Sequence, residues 1–183
     1  MRKFKLLLGG KARQVSIRGV VVSVAPDSMH PLPVDARVFE EDTHLVLTVD
    51  PVMRFKEEHP IRLLNSLAKD KPHRPGSVVI KGKSWYAVVH DLDAQETCQA
   101  EWVEQTYREL LRLAEVRRIR NLGIPLLGSV HGNMKPADSL NMLLQAISAL
   151  RVTPLKYIMI LVRPNRVDAT RRLLVQSVRK TLR

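Results

Sequence analysis

The sequence predicts an α/β fold, with three layers (α/β/α) built around a mixed, mostly parallel sheet. Strands alternate with helices through the second half, in the order ββαβαβα, which implies right-handed crossovers with helices on both faces of the sheet. Some strands are unbroken apolar runs, such as 157–162 (YIMILV), and such runs are typical of strands buried on both faces. Residues 119–150 combine an apolar strand, a glycine-containing loop and a helix.

The first half gives weaker signals. Strands are predicted at 3–8 and 14–24, with a hairpin turn at 9–11 between them. Three prolines between residues 26 and 33 interrupt regular structure after the second strand. The remaining predictions are a strand at 45–49, a helix at 61–67 and an exposed loop at 69–76. The pattern of residues 34–39 is ambiguous between a helix and a strand.

In the second half the elements follow one another closely. Two strands are expected around the turn at 81–83, and an amphipathic helix follows over 102–114. A buried strand at 119–127 leads into a loop and a helix over 136–150. The last strand, 157–162, is followed by a helix over 167–182.

Composition limits the class of protein. The chain has 183 residues, 45% of them apolar, which suits one domain with an aliphatic core. A single cysteine, Cys98, excludes an internal disulfide framework, and no histidines stand at metal-ligand spacing. We therefore expect neither a metal nor a cofactor. Without an apolar run long enough for a membrane span, and with too short an apolar segment after the start for a signal peptide, the expected location is the cytoplasm, or the nucleus in a eukaryote.

The formal net charge of +12 favours a polyanionic partner such as RNA or DNA. The densest cluster of cations lies in the last 21 residues of the sequence, and a second cluster lies between Arg112 and Arg120. Cations near helix ends also complement the helix dipole, so solubility and capping explain these clusters as well as a binding surface does. The nucleic-acid candidates are Arg163, Arg166, Arg171, Arg172, Arg179 and Lys180.

The loop at 128–133 is the principal candidate site. Gly128, Gly132 and Asn133 tolerate positive φ, and small side chains allow backbone N–H groups to face a ligand. Pro136 suits the first turn of the next helix. A strand, a glycine loop and a helix N-terminus together present amides and a positive dipole end to a phosphate. An ordinary tight turn between a strand and a helix would show the same residue types.

Four stretches in order resemble the macro-domain family, whose members bind ADP-ribose. Residues 75–80 (PGSVVI) are similar to its P-G-x-A-V-x turn and strand, and 83–93 (KSWYAVVHDLD) to its strand with a Y-V-x-H core, which places His90 at the family's histidine. Residues 107–133 resemble its helix, strand and second phosphate loop, and 157–162 its last strand. The resemblance covers 75–175, so one domain over 1–183 is expected, with 1–74 divergent and 75–183 the better match.

The resemblance implies a position for the loop residues and no individual side-chain role. Gly128, Ser129, Val130, His131 and Gly132, with Asn133 closing the loop, fall where backbone amides wrap the distal phosphate and ribose. The family usually has glycine where Val130 stands, and a β-branched residue resists positive φ. This predicts a loop that bends differently or binds its ligand more loosely.

The first half departs further from the family. Its D-I and N-A-A-N motifs are not recognisable; residues 22–28 lie where the N-A-A-N strand end is expected, and 30–36 where a glycine-rich loop is expected. In the hydrolase branch an Asn and an Asp from these places help to position water, which leaves Asp27 and Asp35 as the candidate catalytic residues. Pro31 and Pro33 offer no N–H to a diphosphate.

Three functions follow from these features. The first is a module that binds ADP-ribose or a related nucleotide diphosphate through 128–133. The second is a nucleic-acid-binding protein on the same scaffold with a degenerate nucleotide pocket. The third is an ADP-ribosyl hydrolase. The first requires that the amides between 128 and 133 converge on one anion beside the next helix, and that the chain's own N-terminal half does not fill the hollow between them.

Overall fold

One sheet contains every strand of the described chain. The computed structural model describes residues 4–7, 14–48, 71–151 and 153–181. The strands are β1 (Phe4–Leu7), β2 (Gln14–Ile17), β3 (Val20–Pro26), β4 (Ala36–Asp42), β5 (Val78–Lys81), β6 (Ser84–His90), β7 (Asn121–Ile124) and β8 (Tyr157–Val162). They lie in the order β1-β2-β3-β8-β7-β4-β6-β5.

The centre of the sheet is parallel and its margins are antiparallel. Parallel pairing joins β3 to β8, β8 to β7, β7 to β4, and β4 to β6. Antiparallel pairing joins β1 to β2, β2 to β3, and β5 to β6. The predicted mixed, mostly parallel sheet is therefore confirmed. Because the central strands share a direction, their carboxyl ends meet at one edge of the sheet and their amino ends at the other.

Three helices are described: α1 (Ala100–Val116), α2 (Pro136–Ala149) and α3 (Val167–Thr181), with a short 3-10 turn at Pro164–Arg166 before α3. Helix α2 contacts both α1 and α3, and all three contact strands of the sheet. Within the described residues, no helix combines the length and the apolar character needed to cross a membrane.

The core is aliphatic, as the low aromatic content predicts. Alternate residues of the central strands, such as Val22 on β3, Leu122 on β7 and Ile158 on β8, have no exposed surface. The inner faces of α1 and α2 add Leu110 and Leu143, which are equally buried. Trp85 is almost completely buried in the same cluster, so it has a packing role.

Several predictions about the first half need correction. Residues 14–24 form two strands, because the chain turns at Arg18-Gly19, where both residues have positive φ. The predicted strand at 45–49 is wrong: 43–48 form turns and bends. The ambiguous segment 34–39 contributes to β4, a central strand that continues to Asp42. The predicted helix at 61–67 and the hairpin turn at 9–11 lie outside the described residues.

Asp35 lies at the amino-terminal edge of the sheet. Its Oδ2 accepts the backbone N–H groups of Arg120 and Asn121 at 2.9 and 2.8 Å, where β7 begins. These hydrogen bonds, the one with Asn121 foremost, lower the pKa of the Asp35 carboxyl. The carboxylate thus secures the start of β7 against the start of β4, at the opposite edge from the loop at 128–133. Asp35, one of the two candidates for positioning a water, is therefore engaged by backbone N–H groups at that opposite edge.

Replacing Asp35 by alanine is expected to reduce stability by about 1 kcal/mol at neutral pH, the usual scale for a side-chain oxygen that satisfies free backbone donors. The folded-state pKa of Asp35 is lowered, so its contribution is present above its unfolded pKa of 3.8 and is lost as the pH falls through the folded value. Denaturant unfolding of both forms from pH 7 to pH 2 measures this. A stability difference that does not shrink in acid would contradict the assignment.

Candidate functional site

The loop between β7 and α2 folds its backbone amides inward around one point. Gly128 has a φ of +77°, and Met134 donates its N–H to the Gly128 carbonyl at 3.1 Å, closing the loop. At Gly132 a Cβ atom would lie 2.6 Å from the Gly128 carbonyl oxygen, so only glycine fits there. The amides of Gly128, Val130 and His131 all point to the same acceptor.

That acceptor is the side chain of Glu40, on β4. Its Oε2 accepts the N–H of Gly128 at 2.8 Å and that of Val130 at 3.4 Å, and its Oε1 accepts the N–H of His131 at 3.0 Å. Glu40 is only 2% exposed. The amides thus converge on a single anion, but that anion is a side chain of the protein's own N-terminal half, so the hollow that the first function requires for a ligand is already filled.

His90 completes the coordination of this carboxylate. Its Nε2 lies 2.6 Å from Glu40 Oε1, and both side chains are almost fully buried. With Nε2 donating, every contact to the carboxylate comes from a donor, which is what a buried charge requires. His131 packs edge-on to the His90 ring at 6.4 Å between centroids. His90 is therefore a satisfied structural histidine.

The other residues of the loop have separate roles. Val130 is 44% exposed and its φ is not positive, so the strain expected of a β-branched residue there does not arise. Ser129 donates its hydroxyl to the Leu126 carbonyl at 2.7 Å and caps no helix. Asn133 is exposed. Only the amides of Gly128, Val130 and His131 face inward to Glu40.

Two more buried acids follow Glu40 on the same strand, and they bind the backbone in the same way. Glu41 accepts the N–H groups of Leu47 and Thr48, each at 2.9 Å, while burial raises the pKa of its carboxyl. Asp42 Oδ1 accepts the N–H groups of His44 and Val46. All three carboxylates of β4 thus organise loops at the carboxyl edge of the sheet.

Cys98 lies beside this cluster. A Cβ atom on Gly132 would approach the Cβ of Cys98 to 3.3 Å. Burial and the charge of Glu40 raise the pKa of its thiol to about 11. A thiol that stays protonated at neutral pH is a poor nucleophile, so Cys98 serves packing. Within the described residues, no cluster of histidine, cysteine and carboxylate side chains could hold a metal ion.

A cleft of about 520 Å³ opens at the carboxyl edge of the sheet, next to Glu40. Its floor comes from β4 and from the ends of β7 and β8, and its rim from the loop at 128–133 and the turn before α3. The size suits a small-molecule ligand. The apolar part of the lining is Val38, Phe39, Pro125, Leu126, Val130, Pro136, Leu161 and Val162.

Three arginines and two acids give the cleft its charge. Arg37, Arg163 and Arg166 line it together with Asp27 and Glu40, which leaves one net positive charge, three minus two. Arg37 is held in place by the Asp27 carbonyl at 3.2 Å and by the Phe39 ring, 5.0 Å from its guanidinium carbon. Arg163 and Arg166 are exposed and have no ion-pair partner in the described chain.

The structure distributes the predicted nucleic-acid residues over different surroundings. Arg163 and Arg166 belong to the cleft. Arg171 lies 3.3 Å from Asp168 and also donates to the Val24 carbonyl, while Arg172 is exposed on α3. The side chains of Arg179 and Lys180 lie outside the described part of the chain. These six residues are not shown to form one surface. Asp27 is the only one of the two predicted catalytic acids that lines the cleft.

Comparison with known proteins matches the chain to solved structures only. No protein-family model matches it, and neither does any curated protein. A mutant macrodomain from Oceanobacillus iheyensis is 11% identical, with a TM-score of 0.67 over 94% of this chain and 100% of that one. The same macrodomain with ADP is 13% identical, with a TM-score of 0.67 over 93% and 96%. A Trypanosoma brucei macrodomain in complex with ADP is 14% identical, with a TM-score of 0.58 over 84% and 68%.

The chain has the macrodomain fold. The predicted three-layer α/β/α class is confirmed, and the resemblance first seen over 75–175 extends to most of the chain. The macrodomain fold also brings β4 alongside β7, so the strand end that reaches the glycine loop is 39–42 and not 22–28. Residues 22–28, where the resemblance placed the N-A-A-N strand end, lie on β3 and just after it, beside β8.

Sequence reasoning missed Glu40. The signal was three consecutive acids, Glu40 to Asp42, directly after the apolar pair Val38 and Phe39. Such a run is normally solvated, so it does not indicate a central strand. Only the pairing of β4 with β6 and β7 places these acids in the interior.

Replacing Glu40 by alanine is expected to destabilise the protein by about 3 kcal/mol, because His90 and the inward amides lose a buried acceptor. Denaturant unfolding measures the loss. The matched control is Glu96→Ala, an exposed acid with no hydrogen bond in the described chain, which should change stability by less than about 0.5 kcal/mol. Equal effects of the two substitutions would show that Glu40 does not hold the loop.

Proposed function

We propose that the cleft binds ADP-ribose or a related nucleotide diphosphate, with the phosphates held by arginine side chains instead of loop amides. The observation that carries this proposal is the cleft itself: about 520 Å³, largely apolar, and lined by Arg37, Arg163 and Arg166. Planar guanidinium groups suit bidentate phosphate recognition. Support also comes from the fold, since the structures from O. iheyensis and T. brucei are described with ADP bound.

Electrostatics excludes a phosphate from the amides while Glu40 occupies them. Two like charges 4 Å apart repel by about 4 kcal/mol at an effective dielectric constant of 20. That energy corresponds to roughly a thousand-fold loss of affinity. The inward amides also have their acceptor already, so a phosphate would gain no hydrogen bonds there. A diphosphate in the cleft therefore lies toward the turn that carries Arg163 and Arg166.

Binding is proposed here, without a hydrolytic step. Asp35 is at the opposite edge of the sheet, and the Glu40 oxygens are all engaged by protein donors. Asp27 lines the cleft, but its neighbourhood contains no second acid free to act on water among the described lining residues. The geometry thus supports recognition of a nucleotide by shape and charge.

The proposal predicts calorimetric binding of ADP-ribose that depends on the cleft arginines. The double variant Arg163→Gln, Arg166→Gln should weaken binding about ten-fold or more, the scale of a charge-assisted hydrogen bond. The matched control is Arg151→Gln, Lys156→Gln, which removes the same charge at the opposite edge and should leave affinity within about two-fold. If the wild-type chain gives no heat with millimolar ADP-ribose, or if both variants weaken binding equally, the proposal is wrong.

Glu40→Ala distinguishes phosphate binding by the cleft arginines from phosphate binding by the loop amides. Removal of the carboxylate frees the amides, so the variant should bind ADP-ribose at least ten-fold more tightly than wild type, provided that its unfolding curve shows a folded protein at the assay temperature. Binding by the variant but not by wild type would mean that Glu40 closes the site and that the natural cleft does not bind this ligand.

A further inference from the structure

The amino-terminal edge of the sheet, opposite the cleft, is lined by exposed cations. They stand on the turns and loops that precede or connect the central strands, and we call them the basic edge: Arg18, Lys81, Lys83, Arg117, Arg118, Arg120, Arg151 and Lys156. None of them forms an ion pair within the described chain. The acid in these connections is Asp35, whose carboxylate accepts backbone N–H groups at the start of β7.

Helix capping accounts for only part of this edge. Arg117, Arg118 and Arg120 follow the end of α1, and Arg18 donates to the Leu150 carbonyl at the end of α2 at 3.0 Å. Cations at such positions complement the helix dipole. The three lysines, by contrast, stand at strand ends. The dipole explanation does not extend to Lys81, Lys83 and Lys156.

Backbone geometry gives a second, independent indication. Arg18 and Arg118 have φ values of +50° and +54°, a region that favours glycine or asparagine. Arg18 precedes Gly19 in a two-residue hairpin turn with both φ values positive, the turn in which Asn-Gly is preferred. Two of the three described non-glycine residues with positive φ are therefore arginines on the basic edge. Arginine at positions where glycine would relieve the backbone strain indicates that the charge of the side chain has a function.

The dimensions fit a nucleic-acid strand. From β3 to β6 the edge crosses four strand spacings of about 4.8 Å, or roughly 19 Å. At about 3.4 Å per nucleotide, the rise of one strand with its bases stacked as in a duplex, this length spans roughly six phosphates. Tyr157 stands next to Lys156 at the start of β8 and is 52% exposed, which leaves its ring available for a base to stack on.

We propose that the basic edge binds the phosphodiester backbone of single-stranded nucleic acid, with Tyr157 stacking on a base. This surface lies on the opposite side of the sheet from the cleft, so the two ligands do not compete for residues. An anionic membrane is less well matched, because Val116 is the one exposed large aliphatic side chain in the described loops and helix end of this edge.

The test is fluorescence anisotropy of the full chain with a labelled 12-nucleotide RNA at 50 to 200 mM KCl. Wild type should bind, with affinity that falls steeply as salt rises. The variant Lys83→Gln, Arg120→Gln, Lys156→Gln should lose at least ten-fold in affinity, and the slope of log K against log salt should become shallower by about two, at roughly 0.7 per phosphate contact. The matched control Lys71→Gln, Arg74→Gln, Lys135→Gln removes the same charge from exposed positions elsewhere and should bind within about two-fold of wild type.

Arg118→Gly distinguishes binding from folding. Glycine relieves the positive φ, so the variant should keep or raise the melting temperature while it binds the RNA more weakly. Four results would each overturn the proposal. The first two are equal losses of affinity in the two triple variants and no binding of RNA at 50 mM KCl. The other two are tighter binding to the matching duplex and binding to phosphatidylserine vesicles but not to RNA. ADP-ribose binding is measured on the same variants and should not change, so failure here is separate from failure of the cleft proposal.

Discussion

A loop whose amides point inward must supply an acceptor for them, and in this protein that acceptor is Glu40. Backbone N–H groups removed from water are almost always paired, and the tight turn enforced by Gly128 and Gly132 aims the amides of Gly128, Val130 and His131 at one point. The carboxylate there also accepts a hydrogen bond from His90. Strand β4, the glycine loop and β6 are therefore joined through a single side chain.

The Glu40 contact shows that a chain can have the macrodomain fold without leaving the amides of its glycine loop free for a ligand. The fold provides a cleft at the carboxyl edge of a parallel sheet, which is the usual place for a ligand in α/β proteins. Glu40 occupies the amides, and in the function proposed above the arginines of the cleft, not the amides, hold the phosphates. The same parallel topology collects the cations of the connecting loops at the other edge, so the acids of β4 and the basic edge lie at opposite ends of the strands.

Elements with strong local patterns were predictable from the sequence. Apolar residues recur at helical spacing in Ala100–Val116 and run unbroken in the last strand, and glycines mark the loop. The α/β class follows from the order of these elements. β4 was not predictable, because its acidic end opposes the apolar pattern of a central strand. The partner of the loop lies 88 residues away from Gly128 along the chain, and no local pattern indicates a contact of that kind. The placement of Asp35 was missed for the same reason, since it depends on the pairing of β4 with β7.

The most direct measurement of the Glu40 contact is amide NMR of the loop. In ¹⁵N–¹H spectra of the labelled wild-type chain, titration with inorganic phosphate should leave the signals of Gly128, Val130 and His131 unmoved, because their acceptor is internal. In Glu40→Ala the same signals should shift and saturate together. Phosphate-dependent shifts of these amides in the wild-type protein would contradict the account, since they would show that the carboxylate does not occupy the loop.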